Sequence, residues 1–174
     1  STSAVRLDAS TAPLDPARLV DFARSLPETN LVVESLAGRT LAAVMEIIVH
    51  GFNGVVGGVN SSTVEQAINR LATNFASLTP GVAVDTARQA ILSGFDLALE
   101  VGASPDGRER VRRVVDISFG ANGGVELRDI FSFSDRAGTD GSFVAAQGEP
   151  RLLDELRARG VQIDTTPFQR TGNS

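Results

Sequence analysis

Glu34, Ser35, His50 and a run of arginines are the residues whose types and places could do chemistry in this chain. Glu34 closes a short apolar run, Leu31 to Val33, and an acid at the end of a core strand can orient a water or hold Mg²⁺ through water. An acid there can equally face solvent or pair with a nearby Arg, the default at a strand terminus. His50 is the single histidine and stands one residue before Gly51 at a helix end, where a contact with the helix dipole accounts for it. Ser35 could act as a nucleophile only if His50 turned towards it, because the chain offers no other His and no Lys as base. Arg108, Arg110, Arg112 and Arg113 could contact phosphate or a neighbouring subunit. Arg110 and Arg112 share one strand face by alternation, and a solvated face is the first reading of that pair.

All 16 basic residues are Arg. A Walker A loop needs Gly-x-x-x-x-Gly-Lys-Ser/Thr, because backbone amides cradle the phosphates while the ammonium reaches the β- and γ-phosphates. Without Lys that loop cannot exist here, and Schiff-base chemistry and a lysine general base fall with it. Gly51, Gly54, Gly57 and Gly58 cluster, but they lack both the Lys and the Gly-x-Gly-x-x-Gly spacing of dinucleotide sites. Tight turns and close approach of backbone segments explain them better. With no Cys, thiol catalysis, disulfides and zinc-thiolate sites are excluded, which fits a reducing cytoplasm. A net charge of −5 argues against nucleic-acid binding, since phosphate neutralisation dominates that affinity. No apolar run approaches the roughly 20 residues of a membrane span. At 174 residues and 42% hydrophobic, the chain can bury a real core as one domain. It opens on Ser1 without Met and has no signal-peptide pattern, so it reads as a trimmed or excised piece.

The elements that must position these residues follow from periodicity. Residues 1–14 read as an extended arm, after which Asp15 caps a helix with Pro16 at its first position. Leu19, Phe22, Ala23 and Leu26 form that helix's buried stripe, and Pro27 stops it. The strand Leu31–Val33 leads to a helix with Leu41, Val44, Ile47 and Ile48 at helical spacing. A glycine-rich turn then enters Val55, Val56 and Val59. Ser62-Thr63-Val64-Glu65 reads as a capping box for a helix carrying Val64, Ala67, Ile68, Leu71 and Phe75. After a break at Thr79-Pro80, a helix spans about Val84 to Leu92 with Ala87 and Ile91 inward.

Three strands are expected next: Asp96–Val101, Arg110–Phe119 and Val125–Phe133. Val111, Val115, Ile117 and Phe119 lie on one face, and Asn122-Gly123-Gly124 makes a hairpin between the last two strands. Ser142–Ala146 adds a strand. Glu149-Pro150 opens a helix burying Leu152, Leu153 and Leu156, with Gly160 as its cap, and 169–174 is a flexible tail. Short apolar strands alternating with amphipathic helices argue for an α/β domain over 15–168, a parallel sheet with flanking helices. Its strands are those near Leu31, Val55 and Leu97, extended by an antiparallel ribbon from Val111 to Phe133.

The stretch from Leu31 to Leu71 resembles, without a gap, the second half of the ATPase core of the CpaF/TadA-type secretion ATPases, which drive Flp/Tad pilus assembly. Those proteins run a strand ending in a Walker B Gly-Glu, a helix, a Thr-Gly-His-x-Gly turn, and a strand closing on a His-Ala-Asn-Ser box. Here the Walker B pair falls on Glu34 and Ser35, and the turn falls on His50-Gly51-Phe52-Asn53-Gly54, keeping its glycines and losing its histidine. The second histidine falls on Asn60. Upstream, Leu26-Pro27-Glu28-Thr29 is similar to the family's entry into the Walker B strand, and Val5-Arg6-Leu7-Asp8 to a remnant of its acidic box. Downstream, Thr86 to Gly94 and Leu127-Arg128-Asp129-Ile130-Phe131 are similar to its later helix and antiparallel ribbon, so the likeness spans about Leu14 to Phe168.

The resemblance implies a partial RecA-like (P-loop NTPase) domain with Glu34, Ser35, His50 and Asn60 near the nucleotide. It implies ATP and Mg²⁺ as the family's cofactors, although no nucleotide is expected to bind this chain alone. It further implies a homo-oligomer or an ATPase partner chain, working cytoplasmically at an inner-membrane secretion platform.

Overall fold

The computed structural model describes residues 15–25, 30–104, 107–119, 124–134, 141–146 and 148–168. The expected arm (1–14), the Pro27 stop with the Leu26–Thr29 join, the turn residues Asn122 and Gly123, and the tail (169–174) lie outside the described residues, as do the side chains of Leu19, Ala23 and Phe119. The architecture is mixed α/β: a two-stranded parallel sheet, a separate four-stranded antiparallel sheet, and flanking helices. The chain divides into two compact units, Ser1–Gly94 and Phe95–Ser174, where the sequence reads as one domain.

The first unit holds α1 (Pro16–Ser25), β1 (Leu31–Val33), α2 (Gly38–Val49), β2 (Val55–Gly57), α3 (Val64–Leu78) and α4 (Val84–Gly94). Helix α2 is its centre, packing against α1, α3 and α4. Leu41, Ala43, Val44, Met45 and Ile47 of α2 are buried together with Val64, Ile68, Leu71 and Ala72 of α3 and Ala87, Ile91 and Leu92 of α4. Burial of this kind stabilises by about 25 cal/mol per Å² of apolar surface, enough to fix three helices too short to persist alone. Phe22, expected in the α1 stripe, is 49% exposed, so the contact with α2 covers only part of that stripe.

Identified bonds close both ends of α2 and the start of α3. Gly51 takes φ +86° after His50, with Gly51 N–H donating to Ile48 and Phe52 N–H to Ile47, a Schellman closure that favours glycine. The cap of α3 lies one residue later than the expected box. Thr63, in extended conformation, accepts from Gln66 N–H at 3.2 Å, so the acting pattern is Thr63-Val64-Glu65-Gln66. At α2, Asn74 Oδ1 takes the Gly38 N–H (3.2 Å), a cap supplied by the neighbouring helix.

Strands β1 and β2 pair in parallel, Leu31 opposite Val55 and Val33 opposite Gly57. Val32 and Val56, directly opposite one another, are 75% and 61% exposed. That is unusual, because parallel sheets are ordinarily covered on both faces.

The second unit is an antiparallel sheet in the order β3 (Leu97–Ala103), β4 (Glu109–Phe119), β5 (Val125–Ser134), β6 (Ser142–Ala145), followed by α5 (Leu152–Ala158) and a 3₁₀ turn at Thr166–Phe168. The Leu97 strand, expected beside β1 and β2 in the parallel sheet, is bonded antiparallel to β4 instead. The pairing with β4 follows from a short link. Only 104–108 join β3 to β4, closed by Ser104 N–H to Arg108 and Gly107 N–H to Ser104, and a tight turn can join antiparallel strands but not parallel ones. Phe119 pairs with Val125, as the expected hairpin requires. Register shifts at Glu100/Val101 and Val114/Val115 interrupt the alternation. Of the expected apolar face of β4, only Val115 is fully buried among the described side chains. In α5, Leu153 is buried while Leu152 and Leu156 are partly so. Gly160, at φ +80°, closes that helix as expected.

Candidate functional site

In a parallel pair both strands end at the same edge, and that edge gathers three of the four residues aligned with a nucleotide site. Past the ends of β1 and β2 the ladder continues for one more exchange. Gly58 N–H donates to Val33 O (2.9 Å), and Leu36 N–H donates to Gly58 O (2.8 Å). Glu34 and Ser35 therefore form a two-residue step clamped between two backbone bonds, both exposed. Asn60 lies two residues beyond Gly58, also exposed, and its carbonyl accepts from Arg70 Nη1 at 2.8 Å. Asn60, Ser61, Ser62, Gln66 and Arg70 line a shallow polar recess of about 420 Å³.

His50 does not join them. It terminates α2, which starts just after β1 and runs back along the sheet, so His50 lies towards the end where β2 begins. Its ring Nδ1 donates to the Glu46 carbonyl at 2.7 Å. A helix of 12 residues spans about 18 Å, at 1.5 Å per residue, which separates His50 from the Glu34–Ser35 step. A Ser35–His50 pair is thus ruled out, and the dipole contact expected of a histidine at a helix C-terminus is what the residue makes.

The glycine cluster is explained residue by residue. Gly51 closes α2. Gly54 adopts φ +90°, and a Cβ there would stand 2.3 Å from Asn30 Oδ1. At Gly57 a Cβ would meet the buried Leu36 side chain at 2.2 Å, and at Gly58 the Glu34 carbonyl oxygen at 2.3 Å. The N–H groups of Gly51 and Gly58 are already spent on Ile48 and Val33. A phosphate cradle needs free, converging N–H groups, and the Gly51 and Gly58 amides are not free. Glu34, Ser35 and Asn60 present an exposed carboxylate, a hydroxyl and an amide at this edge. Among the described residues, no group of three or more His, Asp or Glu is placed to hold a metal ion.

The second unit carries the ion pairs that periodicity did not announce. Arg113 bridges three strands, reaching Asp129 at 2.7 Å and Glu100 at 3.4 Å. Arg110 lies 5.7 Å over the Phe133 ring, and Arg112 donates to the Ala103 carbonyl. The arginine run therefore includes structural contacts on its own sheet. Asp116 is 1% exposed, with Oδ2 bonded to Arg128 Nη2 and Oδ1 to Arg151 N–H, each at 3.1 Å. Strand alternation alone gave no reason to bury it. Its partners, the Arg128 guanidinium and the main-chain N–H of Arg151, lie on two other segments and meet it only in the folded chain.

Among the described residues, two groups are shifted from their ordinary values, both in this unit. The Arg157 guanidinium is held up first by its hydrogen bond to Glu149. The Asp164 carboxyl is held down by the Thr166 hydroxyl and N–H. Among the described residues no helix is long and apolar enough to cross a membrane. Compared with protein-family models and with curated proteins, the chain matches none.

Proposed function

We propose that this chain is a degenerate secretion-ATPase domain, a partial RecA-like core that serves as a ring-forming, structural or regulatory module and does not hydrolyse ATP by itself. One observation carries the reading. The order β1–α2–β2–α3 follows the gapless frame from Leu31 to Leu71, and the strand ends carry Glu34, Ser35 and Asn60 where the resembled motors carry their catalytic Gly-Glu and histidine. The C-terminal edge of parallel strands is where α/β sheets ordinarily place ligands, so loss of the chemistry there leaves a scaffold. On this reading the module acts in the cytoplasm beside an inner-membrane secretion platform, as part of a homo-oligomer or with an ATPase partner chain.

A second reading draws on the bare Val32–Val56 face, which favours a larger sheet completed by other polypeptide. The chain is then the C-terminal part of an active pilus-assembly or secretion motor. The P-loop lies upstream or on a partner, ATP and Mg²⁺ bind there, and Glu34 takes the acid role. Binding of an ATP analogue and release of phosphate, measured with and without the upstream sequence and again with Glu34→Gln, separates the two. Activity that appears with the upstream sequence and falls with Glu34→Gln favours the motor. Nucleotide turnover by this chain alone defeats the first reading.

A further inference from the structure

We propose that residues 148–158 form a strap that opens from the β4–β5 ribbon as a unit, with the buried Asp116 carboxylate as its clasp. The inference is independent of the secretion-ATPase reading. Helix α5 has seven residues, too few to persist unsupported, and its N-cap Arg151 makes no side-chain cap bond. A bond from another strand holds that N-cap residue. Arg151 N–H donates to Asp116 Oδ1 and ties the start of the helix to β4, while the Leu153 and Asp154 N–H groups close on Pro150 and Arg151 within the segment. Arg128 completes the fastening, its Nη2 reaching both Asp116 Oδ2 (3.1 Å) and the Glu149 carbonyl (2.7 Å). Gly148 makes room for it. With φ +107°, its backbone passes where a Cβ would stand 2.7 Å from Arg128 Nη1.

Within the strap the ties are separate from those outward. Arg157 pairs with Glu149 and with Asp154 (3.0 Å), and Arg151 pairs with Glu155 (3.5 Å), so the two ends of the segment are joined to each other. Among its own side chains only Pro150 and Leu153 are buried. A segment tied internally, with little apolar burial and few outward bonds, is the kind that opens below the global unfolding transition. Opening brings Asp116 into water while the four strands keep their ladder.

Native-state amide exchange on the intact chain tests this. Arg151 reports the strap through its bond to Asp116, and Ile117, bonded to Asp96, reports the sheet. In the unaltered chain the strap amide should exchange through a more frequent opening than Ile117. Arg128→Gln removes one partner of the clasp at an exposed position and should speed the strap amide by about tenfold or more, the scale of a charge-assisted hydrogen bond, leaving Ile117 unchanged. Asp116→Asn should give the same pattern. Equal acceleration at Ile117, no acceleration at the strap, or loss of the whole second unit in Asp116→Asn would each overturn the proposal, because the carboxylate would then hold the sheet or nothing.

Discussion

Replacing Gly58 by Ala is the sharpest perturbation the first unit offers. A Cβ at Gly58 would lie 2.3 Å from the Glu34 carbonyl oxygen and 3.3 Å from its carbon, both main-chain atoms that no rotamer change can move. Ordinary contact begins near 3.4 Å, so the two backbones must part by roughly 1 Å. The bonds Gly58 N–H to Val33 (2.9 Å) and Leu36 N–H to Gly58 (2.8 Å) would then stretch beyond hydrogen-bonding range. Each is worth about 0.5–1.5 kcal/mol net, more where a buried group is left unpaired, and Leu36 is 5% exposed. The expected loss is about 2–4 kcal/mol, a large share of the 5–15 kcal/mol of a typical domain. Gly51→Ala is the control: open space surrounds its Cβ, so only the φ of +86° costs, about 1 kcal/mol. The chain has no Trp or Tyr, so urea unfolding should be followed by far-UV circular dichroism, to which four helices of this unit contribute. If Gly58→Ala proves no worse than Gly51→Ala, the close approach of β2 to Glu34 is not what glycine serves there.

Three further outcomes follow from particular contacts. Thr63→Ala should cost about 1 kcal/mol while Ser62→Ala costs a few tenths, and the reverse order by urea unfolding would return the α3 cap to Ser62. Asp164 accepts from Thr166 N–H at 2.9 Å and its folded pKa is lowered, so its contribution is whole above the ordinary aspartate value of about 3.9 and disappears as pH falls through the lower folded value. The Thr166 amide shift should therefore titrate below that ordinary value by NMR, and a midpoint at or above it would refute the contact. Val32→Thr with Val56→Thr should change this chain's stability by less than about 0.5 kcal/mol, because both sites are exposed, but should destabilise a longer chain that completes the sheet. Equal small effects in both would speak against a covered face.

What could be read from the sequence was what depends on nearby residues. The α2 stripe of Leu41, Val44 and Ile47, the alternation of strands and helices, and the cap at Gly160 all rest on local periodicity or turn chemistry, and the structure places them as expected. Partner choice was not legible. Leu97 opens an apolar strand like those before it, and the pairing shown is with β4, across a short link, rather than with β1 and β2. Phe22 lay on the right stripe of its helix, but how far a neighbour reaches over it is a tertiary matter. At the candidate site, spacing alone could set Glu34 beside Asn60 once parallel pairing was assumed, yet it grouped His50 with them, because alignment carries no information about which end of a strand a turn occupies. Asp116 went unremarked for the same reason: its partners come from β5 and the α5 cap, 12 and 35 residues away.

The decisive measurement is a titration of this chain by itself with a fluorescent ATP analogue and Mg²⁺, read by anisotropy and paired with a phosphate-release assay. With no Lys, with the Gly51 and Gly58 amides committed to backbone, and with His50 turned to Glu46, the titration should stay flat and phosphate should not rise above buffer. Saturable binding that weakens in Glu34→Gln would contradict the account, since it would mean that the Glu34–Asn60 edge grips a triphosphate without the groups that such a grip requires.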